Sequence, residues 1–400
     1  MTMDCDILIS GGGIAGLTAA AAFGSAGFKV ICVDPTPPIT DGEAAGADLR
    51  STAMLQPARR VLEAAGIWSH LQDHAAPLQV MRIVDAGGAE PAPRVTREFN
   101  AAEISDQPFG WNFPNWLLRR ALIDRLADLP TVDFRPGTGT TSLFTRTAQA
   151  RVTLSDGSRI TTPLVIAADG RESPMRKAAG IGVTKSGYGQ KAIVFAATHP
   201  VPHENVSTEI HRTGGPFTLV PLPDRDGMPC SAVVWMDDAA ACTRRMALDA
   251  KSFSDEASTR SCHLFGPLTL VTARNVWPII TQHAARLSGE RIALIAEAAH
   301  VIPPIGAQGL NMSLQDVATL LELAQRNPDE IGSQKMLDAY HKARYGDIML
   351  RVRGIDLLNR ASQATTPIAR DARASGLNAL YALAPVRKML MGMGLGMRQG

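Results

Sequence analysis

The sequence of 400 residues contains little cysteine and no paired cysteine motif. Its five cysteines are scattered singly, no two of them have CxxC spacing, and their number is odd. This pattern argues against a disulfide framework and a cysteine metal cluster, and it indicates a reducing compartment. Each cysteine is therefore expected to be a small buried apolar side chain.

The net charge is also small, at +2 from 40 basic and 38 acidic residues, so no global field favours nucleic acid as a partner. The balance is uneven along the chain. From Arg351 onward, eight basic residues face two acidic ones, which gives this segment a net charge of +6 and leaves −4 for residues 1–350. The C-terminal segment therefore differs from the body of the chain.

A convincing membrane span is lacking as well. Residues 7–28 are uncharged, but they are rich in Gly and Ala, and they follow Asp4 and Asp6 instead of a basic region. We therefore expect neither a signal peptide nor a transmembrane helix, and we predict a cytoplasmic location.

The first informative feature that the sequence does contain is the pattern of a nucleotide-binding unit near its N-terminus. A strand at 6–9, a G-x-G-x-x-G turn at Gly11, Gly13 and Gly16, a helix at 17–27 and a strand at 29–33 follow one another. In such units the glycines make the tight turn and admit a pyrophosphate. Asp34 closes the second strand, where an acid accepts a hydrogen bond from a ribose hydroxyl. The order of these parts is more specific than the glycines alone.

A second motif follows the apolar strand at residues 164–168. Asp169 and Gly170 form an acidic turn there, and Asp169 is a candidate to bind a ribose or ribitol hydroxyl. Ser173 is expected to cap the next helix, and Arg176 to serve phosphates or hold Asp169 in place. Taken alone, a surface Asp-Gly turn would be the simpler interpretation.

The third motif, residues 294–316, is the most informative. An apolar strand ends, Glu297 follows at once, and a helix is expected to begin near Leu310. Free N–H groups at a helix start suit an anion or an electron-rich ring edge. Two prolines stiffen the intervening turn, and two glycines let the backbone approach a ligand closely. These residues are Pro303, Pro304, Gly306 and Gly309.

In this order, the three motifs resemble those of the class A flavoprotein monooxygenases, which share the fold of para-hydroxybenzoate hydroxylase. The resemblance narrows to the ubiquinone-biosynthesis hydroxylases. It rests further on residues 48–54, 188–194, 215–222, 232–235, 340–344 and 356–360. Where that family usually has Gly-Asp, this chain has Ala296-Glu297, and Ala307 and Ser313 replace glycines.

The resemblance implies FAD as the resident cofactor and NAD(P)H as a transient co-substrate. It implies that reduced flavin reacts with O2 and that an electron-rich aromatic ring is hydroxylated. The FAD-binding residues it implies are Gly11, Gly13, Ile14, Ala15, Gly16, Asp34, Arg50, Arg119, Asp169, Glu297, Pro304, Gly306, Gly309, Leu310 and Asn311.

No catalytic residue is identified with certainty from the sequence. Arg50, His300 and Pro304 are candidates by family position, although a positional hydrogen-bonding role is favoured for His300. Tyr188 and His211 are candidates for a phenol-activating base, but packing or a strand-face role is favoured for each. The tryptophans at 235 and 277 are expected in the core.

The predicted fold class is α/β, with a Rossmann-like FAD-binding domain, an inserted, mostly antiparallel β-sheet substrate domain, and C-terminal helices. Strand signals separated by turns mark the insertion. The predicted bounds are 1–75, 98–180 and 275–345 for the FAD-binding domain, 76–97 and 181–274 for the substrate domain, and 346–400 for the helical region.

The function implied by the resemblance is hydroxylation of a polyprenylated phenol in ubiquinone biosynthesis. Two alternatives stay open: a hydroxylase of a small soluble phenol, and a flavin-binding assembly partner without turnover, which the unusual Glu297 suggests.

A polyprenyl substrate partitions into lipid, so an enzyme acting on it must reach the bilayer. We therefore predict that the basic C-terminal segment docks on the inner face of the membrane or on a ubiquinone-biosynthesis partner. An ordinary helical tail packed on the FAD domain is the alternative. The apolar side chains expected to contribute are Leu377, Leu380, Tyr381, Leu383, Met389, Met391, Met393 and Met397.

Overall fold

The computed structural model describes residues 3–48 and 50–395, with side chains up to residue 392. Leu49, Met397 and Arg398, and the side chain of Met393, therefore lie outside the described part. The helices within it are α1 (Ile14–Ser25), α2 (Gln56–Ala64), α3 (Asn115–Ala127), α4 (Pro174–Ala178), α5 (Ala239–Met246), α6 (Ala250–Arg260), α7 (Ala296–Ala299), α8 (Gln308–Arg326), α9 (Gln334–Ser362), α10 (Pro367–Ala382) and α11 (Ala384–Leu395).

The strands described are β1 (Ile7–Ser10), β2 (Val30–Asp34), β3 (Ser51–Leu55), β4 (Ala76–Leu78), β5 (Val80–Asp85), β6 (Val95–Asn100), β7 (Gly110–Pro114), β8 (Val132–Pro136), β9 (Thr140–Arg146), β10 (Gln149–Leu154), β11 (Arg159–Thr162), β12 (Leu164–Ala167), β13 (Val183–Thr198), β14 (Val206–His211), β15 (Pro216–Arg225), β16 (Met228–Asp238), β17 (Thr269–Leu270), β18 (Asn275–Ala284), β19 (Ser288–Gly289), β20 (Ile292–Leu294) and β21 (His300–Val301).

The sheet in the order β19-β20-β12-β1-β2-β8 forms the nucleotide-binding layer. It is parallel except at β19, with Ile7 paired to Leu164 on one side and to Val30 on the other. Strands β1 and β12 are buried along their whole length, as expected when helices cover both faces of a parallel sheet. Because β1, β2, β12 and β20 are parallel, the three predicted motifs meet at one edge of this sheet.

The second large sheet, which we call the roof, has the order β21-β18-β13-β16-β15-β14-β5-β6, with β17 beside β13. Its pairs are antiparallel except for β14 with β5. One face, the outer face, buries Phe217 and Trp235 against Phe253 of α6. The opposite face, the inner face, packs Met236 against Ile305 of the loop before α8. The inner face thus looks toward the nucleotide-binding layer.

The predicted fold class is confirmed by these layers and by helices α9 to α11. The predicted boundary at residue 98 cuts through the roof strand β6, which continues to Asn100, and the predicted boundary at residue 275 places the roof strand β18 in the FAD-binding domain. The division into two domains remains our proposal, with boundaries that we now place near residues 100 and 285.

Two small sheets and the C-terminal helices complete the architecture. The sheet β3-β7-β4 lies between the nucleotide-binding layer and the roof, and β11-β10-β9 forms a separate antiparallel unit. Helix α10 is held on the roof by Arg373, which donates to the buried Asp85 at the end of β5. Arg387 of α11 forms an ion pair with Glu103. The last helices therefore dock on the roof instead of extending into solvent.

Candidate active site

The glycine turn after β1 leaves room for a ligand at one position and none at the others. A Cβ on Gly11 would collide with the carbonyl of Ala168, and a Cβ on Gly16 with the carbonyl of Gly11. Gly11 also has φ +113°, where L side chains are strained. At Gly13, by contrast, nothing lies within 4 Å of the Cβ position. Gly13 caps α1 without a side-chain hydrogen bond, so the first N–H groups of α1 face an open space.

Asp34 lies against this turn at the end of β2. Its Oδ2 accepts the N–H of Gly12 at 2.6 Å, and its Oδ1 accepts the N–H of Thr36 at 2.8 Å. These bonds fix the carboxylate beside the mouth of the glycine turn. A carboxylate has about four lone-pair sites, so capacity remains for a ribose hydroxyl.

Asp169 is more deeply placed. It accepts hydrogen bonds from the Ser173 hydroxyl at 2.5 Å and from the Met175 N–H at 3.0 Å. Burial raises the pKa of Asp169 above its ordinary value, and these two donors only partly offset it. Ser173 caps α4 through the Arg176 N–H, as predicted. Arg176 itself is buried and donates to the carbonyls of Ala298 and Arg171, so it joins two turns, and its charge acts to lower the pKa of Asp169 against the effect of burial.

Glu297 lies across the sheet edge from Asp169. Its carboxylate forms an ion pair with Arg171, with N–O distances of 3.1 and 3.3 Å, and its side chain is 47% exposed. Its charge also contributes to raising the pKa of Arg50. Glu297 is therefore accessible at the rim of the site, and its role as an FAD ligand stays a prediction. Arg171 was not among the predicted site residues, although its place directly after the Asp-Gly turn was a usable signal.

The loop between β21 and α8 carries the third motif. Helix α8 begins at Gln308, two residues before the predicted start, and its N-cap Ala307 makes no side-chain capping bond. Pro304 and Gly309 are exposed there, and Leu310 is half-buried. A second uncapped helix start therefore faces the same sheet edge as α1.

Two family glycines are replaced here by alanines in a left-handed conformation. Ala296 and Ala307 both have φ +55°. This conformation costs an L residue about 1–2 kcal/mol. The turns before and after the loop thus keep the shape that glycine would give, at the expense of local strain.

Asn311 holds α8 to β3. Its Nδ2 donates to the carbonyls of Ala53 at 2.7 Å and Ala307 at 2.6 Å, while its Oδ1 accepts the N–H of Leu55 at 2.8 Å. The side chain is thus engaged by the protein. Any contact of Asn311 with a cofactor would have to come from its backbone N–H.

Beneath the loop lies a buried charged group that we call the anchor cluster, formed by His300, Asp316 and Arg344. Asp316 is 0% exposed, at 2.7 Å from His300 Nε2 and 2.8 Å from Arg344 Nε. Burial would raise the pKa of Asp316, but His300 and Arg344 together hold it below its ordinary value. The His300 side chain is 1% exposed within this cluster, and a positional role for it stays our prediction.

Arg50 and Arg119 both contact Asp48. Arg50 makes a bidentate pair with Asp48 at 2.7 and 2.8 Å, and Arg119 lies 3.4 Å from the same carboxylate. Burial acts against ionisation of Asp48, but its hydrogen bonds from Arg50 and Asn115 outweigh burial and lower its pKa. The Arg50 guanidinium lies 4.9 Å from the ring centre of Trp277.

The two tryptophans behave differently. Trp235 is 1% exposed in the outer-face core, as predicted. The prediction for Trp277 was wrong, because its side chain is 40% exposed on β18 and stacks under Arg50. The alternation along β18 could not show which of its faces would meet a cleft.

Tyr188 does not have the environment of a free base. Its hydroxyl donates to Asp356 at 2.6 Å and lies 2.6 Å from Thr281 Oγ1. Burial and the Asp356 carboxylate raise its pKa. Tyr188 therefore ties the roof to α9, which agrees with the packing role favoured from the sequence.

Comparison with known proteins decides the family. Residues 4–349 match the model of the FAD binding domain family. The chain belongs to this family. It is 33% identical over 395 residues to the ubiquinone hydroxylase UbiL of Rhodospirillum rubrum, covering 98% of this chain and 89% of that protein. It is 26% identical to the 3-demethoxyubiquinol 3-hydroxylase of Escherichia coli, covering 98% of both.

The fold has solved counterparts. The structure of p-nitrophenol 4-monooxygenase PnpA from Pseudomonas putida superposes with a TM-score of 0.81 over the whole of both chains, at 18% identity. With the family match, these findings establish the chain as an FAD-dependent aromatic monooxygenase of the ubiquinone-biosynthesis hydroxylase family. The alternative of a flavin-binding partner without turnover is not supported.

The geometry described above fits FAD. The open position at Gly13 faces the uncapped start of α1, which suits a pyrophosphate. Asp34 and Asp169 lie at the ends of the two strands that flank β1, where each could accept a hydrogen bond from a sugar hydroxyl. The uncapped start of α8 suits the electron-rich edge of a ring.

Proposed function

We propose that this enzyme hydroxylates the aromatic ring of a polyprenylated phenol in ubiquinone biosynthesis, using NAD(P)H and O2. The observation that carries the proposal is the 33% identity to a ubiquinone hydroxylase along 98% of the chain. The alternative, a small soluble phenol, has no such support, because the likeness to the p-nitrophenol enzyme is at 18% identity and speaks for the fold alone.

Within this proposal, the chain's residues hold FAD at the shared sheet edge. The N–H groups of α1 bind the pyrophosphate, Asp34 the ribose, and Asp169 and Glu297 the ribitol chain. Bound FAD supplies the oxidising chemistry, with electrons from NAD(P)H and oxygen from O2. Asn311 and the anchor cluster keep the start of α8 in position, which matters because an electrostatic contribution depends on a fixed dipole.

The FAD assignment is tested at Gly13. Gly13→Val should abolish FAD binding while leaving the fold intact, because the added side chain enters ligand space and meets no protein atom. Gly182→Val is the matched control, since that position is also open but lies away from the motifs. FAD content after purification and circular dichroism give the two readouts. Retention of FAD by Gly13→Val would contradict the assignment.

The substrate is tested in a deletion strain. Its lipid extract should accumulate a prenylated quinone precursor that lacks one ring hydroxyl, and the wild-type chain should restore ubiquinone. Normal ubiquinone in the deletion strain, with loss of growth on a soluble phenol, would favour the alternative substrate. Mass spectrometry of the extract also identifies the ring position.

We further propose that the C-terminal helices dock on an anionic lipid surface. Among the described residues, none of the helices has the length and apolarity to cross a membrane. Large apolar side chains are nevertheless exposed on α9 to α11 or between them. They are Leu350, Leu357, Leu358, Ile368, Leu380, Leu383, Met389 and Leu390.

The structure shows that some of the side chains predicted to contribute to this docking already have partners within the protein. Tyr381 packs on Phe99 of the roof, and Met391 is 7% exposed, so neither is available to lipid. Of the seven basic residues from Arg351 to Lys388, all within the part that the structure describes, four pair with acids, which reduces the electrostatic contribution to docking. These four are Arg351, Arg360, Arg373 and Arg387.

A flotation assay with anionic liposomes tests the docking. The double variant Leu357→Gln, Leu358→Gln should lose binding, whereas Val201→Gln, at an apolar residue that is 45% exposed outside these helices, should not. Added salt should weaken binding only in part. If the full chain stays in solution at low salt, direct lipid docking is wrong and a partner protein becomes the better explanation.

A further inference from the structure

Four arginines meet where helix α10 crosses the end of strand β5. The loop after β5 contains Gly87, which has no room for a side chain. A Cβ there would lie 3.0 Å from Nη2 of Arg94, 3.0 Å from Nη2 of Arg373 and 3.2 Å from Cβ of Arg370. Arg212, which follows β14, donates from Nη2 to a backbone carbonyl two residues further along the same loop, at 3.3 Å. We call these four arginines around the loop the arginine surface.

Two of the four are held in place by one buried acid. Asp85 is 1% exposed and lies 2.8 Å from Nη2 of Arg94 and 2.8 Å from Nε of Arg373. Burial acts to raise the pKa of Asp85, but hydrogen bonds from both arginines outweigh it and lower the pKa. Arg373 also donates to the carbonyl of His211, whose ring pairs with Glu209 at 2.8 Å. The charges of Arg94 and Arg373 are therefore balanced within the protein.

The other two arginines have no such partner. In the part of the chain that the structure describes, neither Arg212 nor Arg370 forms an ion pair with a carboxylate, and the exposed Glu90 of the same loop pairs with neither. Both arginines are half-buried. Arg260 of α6 adds a buried cation nearby: burial lowers its pKa to about 10, and the like charge of Arg212 acts in the same direction. The arginine surface therefore carries positive charge in excess of its acids.

An exposed apolar side chain lies next to these charges. Ile368, in the first turn of α10, is 84% exposed, the highest value among the large apolar side chains described. It lies three residues before Asp371 on the same helix, and Asp371 pairs with Arg94 at 2.7 Å. Residues three apart are neighbours on a helix surface, so Ile368 borders the arginine surface.

Cations beside an apolar side chain fit the headgroup region of a membrane. A soluble phosphate would engage the cations and leave Ile368 in water. A bilayer surface offers phosphates to the cations and, directly beneath them, an apolar layer to the isoleucine. Guanidinium groups suit this ligand, because their N–H donors match the oxygens of a phosphate in pairs.

We propose that the arginine surface binds the phosphate groups of anionic phospholipids, with Arg212 and Arg370 as the contacting residues and Ile368 entering the apolar layer. The proposal rests on the lipid docking of the C-terminal helices proposed above and adds a defined site to it. Arg94 and Arg373 stay paired with Asp85 and keep α10 on the roof, so the site does not require the helix to move.

Vesicle flotation of the holoenzyme tests the two contacting arginines. The double variant Arg212→Gln, Arg370→Gln should bind vesicles of phosphatidylglycerol and phosphatidylcholine about 10- to 30-fold more weakly than wild type, the effect expected for two cations near an anionic surface. The matched control is Arg151→Gln, Arg159→Gln, which removes two arginines of β10 and β11 that also lack an ion pair among the described residues. The control should bind like wild type.

A polarity-sensitive fluorophore tests the role of Ile368. It is attached at Ile368→Cys in a chain that also carries Cys262→Ser, because Cys262 is the one cysteine that is not buried. Its emission should shift to shorter wavelength with the anionic vesicles. The same label at Val201→Cys, a position 45% exposed outside the C-terminal helices, should not shift. An unshifted label at position 368 on vesicle-bound protein would contradict the insertion of Ile368.

Inorganic phosphate distinguishes a lipid headgroup from a soluble anion. Calorimetric titration of the holoenzyme with inorganic phosphate, without vesicles, should show no saturable binding. Saturable binding by wild type that is lost in the arginine double variant, together with vesicle binding that this variant retains, would assign the surface to a soluble phosphate and overturn the lipid proposal.

The outcomes separate this inference from the proposals on which it rests. Equal vesicle binding by wild type and the arginine double variant would show that the inference is wrong, while a loss of binding in Leu357→Gln, Leu358→Gln would still support apolar docking. If wild type binds no vesicles, both are overturned. FAD content and turnover of a short-chain prenylated phenol in solution should be unchanged in the arginine double variant, so the proposed reaction is tested independently.

Discussion

Asp316 and Asp169 are both acids near the proposed FAD site, the first fully buried and the second half-buried, and their surroundings shift their pKa values in opposite directions. Asp316 is enclosed by a histidine and an arginine, and its pKa is lowered despite complete burial. Asp169 accepts hydrogen bonds from a hydroxyl and an N–H and interacts more weakly with the charge of Arg176, and burial still raises its pKa. Partners within the protein thus fully offset the effect of burial on the Asp316 carboxylate, whereas they offset it only in part for Asp169.

The difference separates a structural role from a binding role. The anchor cluster joins the turn after β20 to α8 and α9, and none of its members needs a ligand. Asp169 gains a further donor only when something with a hydroxyl binds beside it. Mutations should therefore affect folding at Asp316 and cofactor affinity at Asp169.

The largest effect is expected for Asp316→Asn. Removing this charge leaves Arg344 buried without its main partner, which should cost about 3–5 kcal/mol of unfolding free energy. Denaturant unfolding of the apoprotein measures it, with Asp169→Asn as the paired variant. The assignment of a structural role to Asp316 and a binding role to Asp169 is wrong if Asp169→Asn destabilises the apoprotein as much as Asp316→Asn does.

Asp169→Asn should act mainly on FAD. Replacing an acceptor oxygen by an amide should weaken FAD binding by about 1–3 kcal/mol, the usual cost of an unpaired buried polar group. Quenching of flavin fluorescence on titration of the apoprotein measures the affinity. Unchanged affinity would mean that Asp169 only caps α4 with Ser173.

The pH dependence should have opposite signs at the two acids. The pKa of Asp316 is lowered by folding, so its stabilising contribution is present above the unfolded pKa and is lost as pH falls through the folded value. The pKa of Asp169 is raised, so its contribution is present below the unfolded pKa and is lost as pH rises through the folded value. Unfolding free energies of wild type and Asp169→Asn should therefore converge or cross as pH rises from acid. A difference in unfolding free energy that grows in favour of wild type as pH rises would contradict this expectation.

Glu297→Ala should have the smallest effect. Its ion pair with Arg171 is about half exposed and should add less than about 1 kcal/mol to stability. FAD affinity should fall by about 1 kcal/mol, at the low end for a lost hydrogen bond, and Glu297→Asp should preserve it. The flavin fluorescence titration described for Asp169→Asn also measures the FAD affinity of these two variants. Wild-type affinity in Glu297→Ala would remove this residue from the proposed ligands.

The sequence was informative where backbone geometry limits the choice of residue. Gly11 has a positive φ, and Gly16 touches the backbone of the turn, so both positions require glycine. The G-x-G-x-x-G pattern that contains them was therefore recognisable from the sequence alone. Ser173 was likewise a recognisable helix cap. Parallel strand order then brings the three motifs to one edge, and the resemblance to a known family supplied that order.

What the sequence could not show depends on contacts between distant segments. Asp316 meets Arg344, 28 residues away, and Trp277 meets Arg50, 277 − 50 = 227 residues away. Periodicity in β14 shows that Glu209 and His211 share a face, but only sheet packing shows that this face lies opposite the core formed by Ile210 and its neighbours. For the same reason, Tyr381 and Met391 could not be separated from the exposed apolar residues of the C-terminal helices.

The most direct test of the account is oxygen transfer by the purified holoenzyme. The enzyme is supplied with NADH or NADPH, a short-chain prenylated phenol and isotopically labelled O2, and the product is examined by mass spectrometry. We predict one labelled oxygen on the aromatic ring, and we predict that this labelled product is lost in Gly13→Val. Oxidation of the nicotinamide cofactor that yields hydrogen peroxide with the prenylated ring unchanged, alongside labelled hydroxylation of a small soluble phenol, would contradict it.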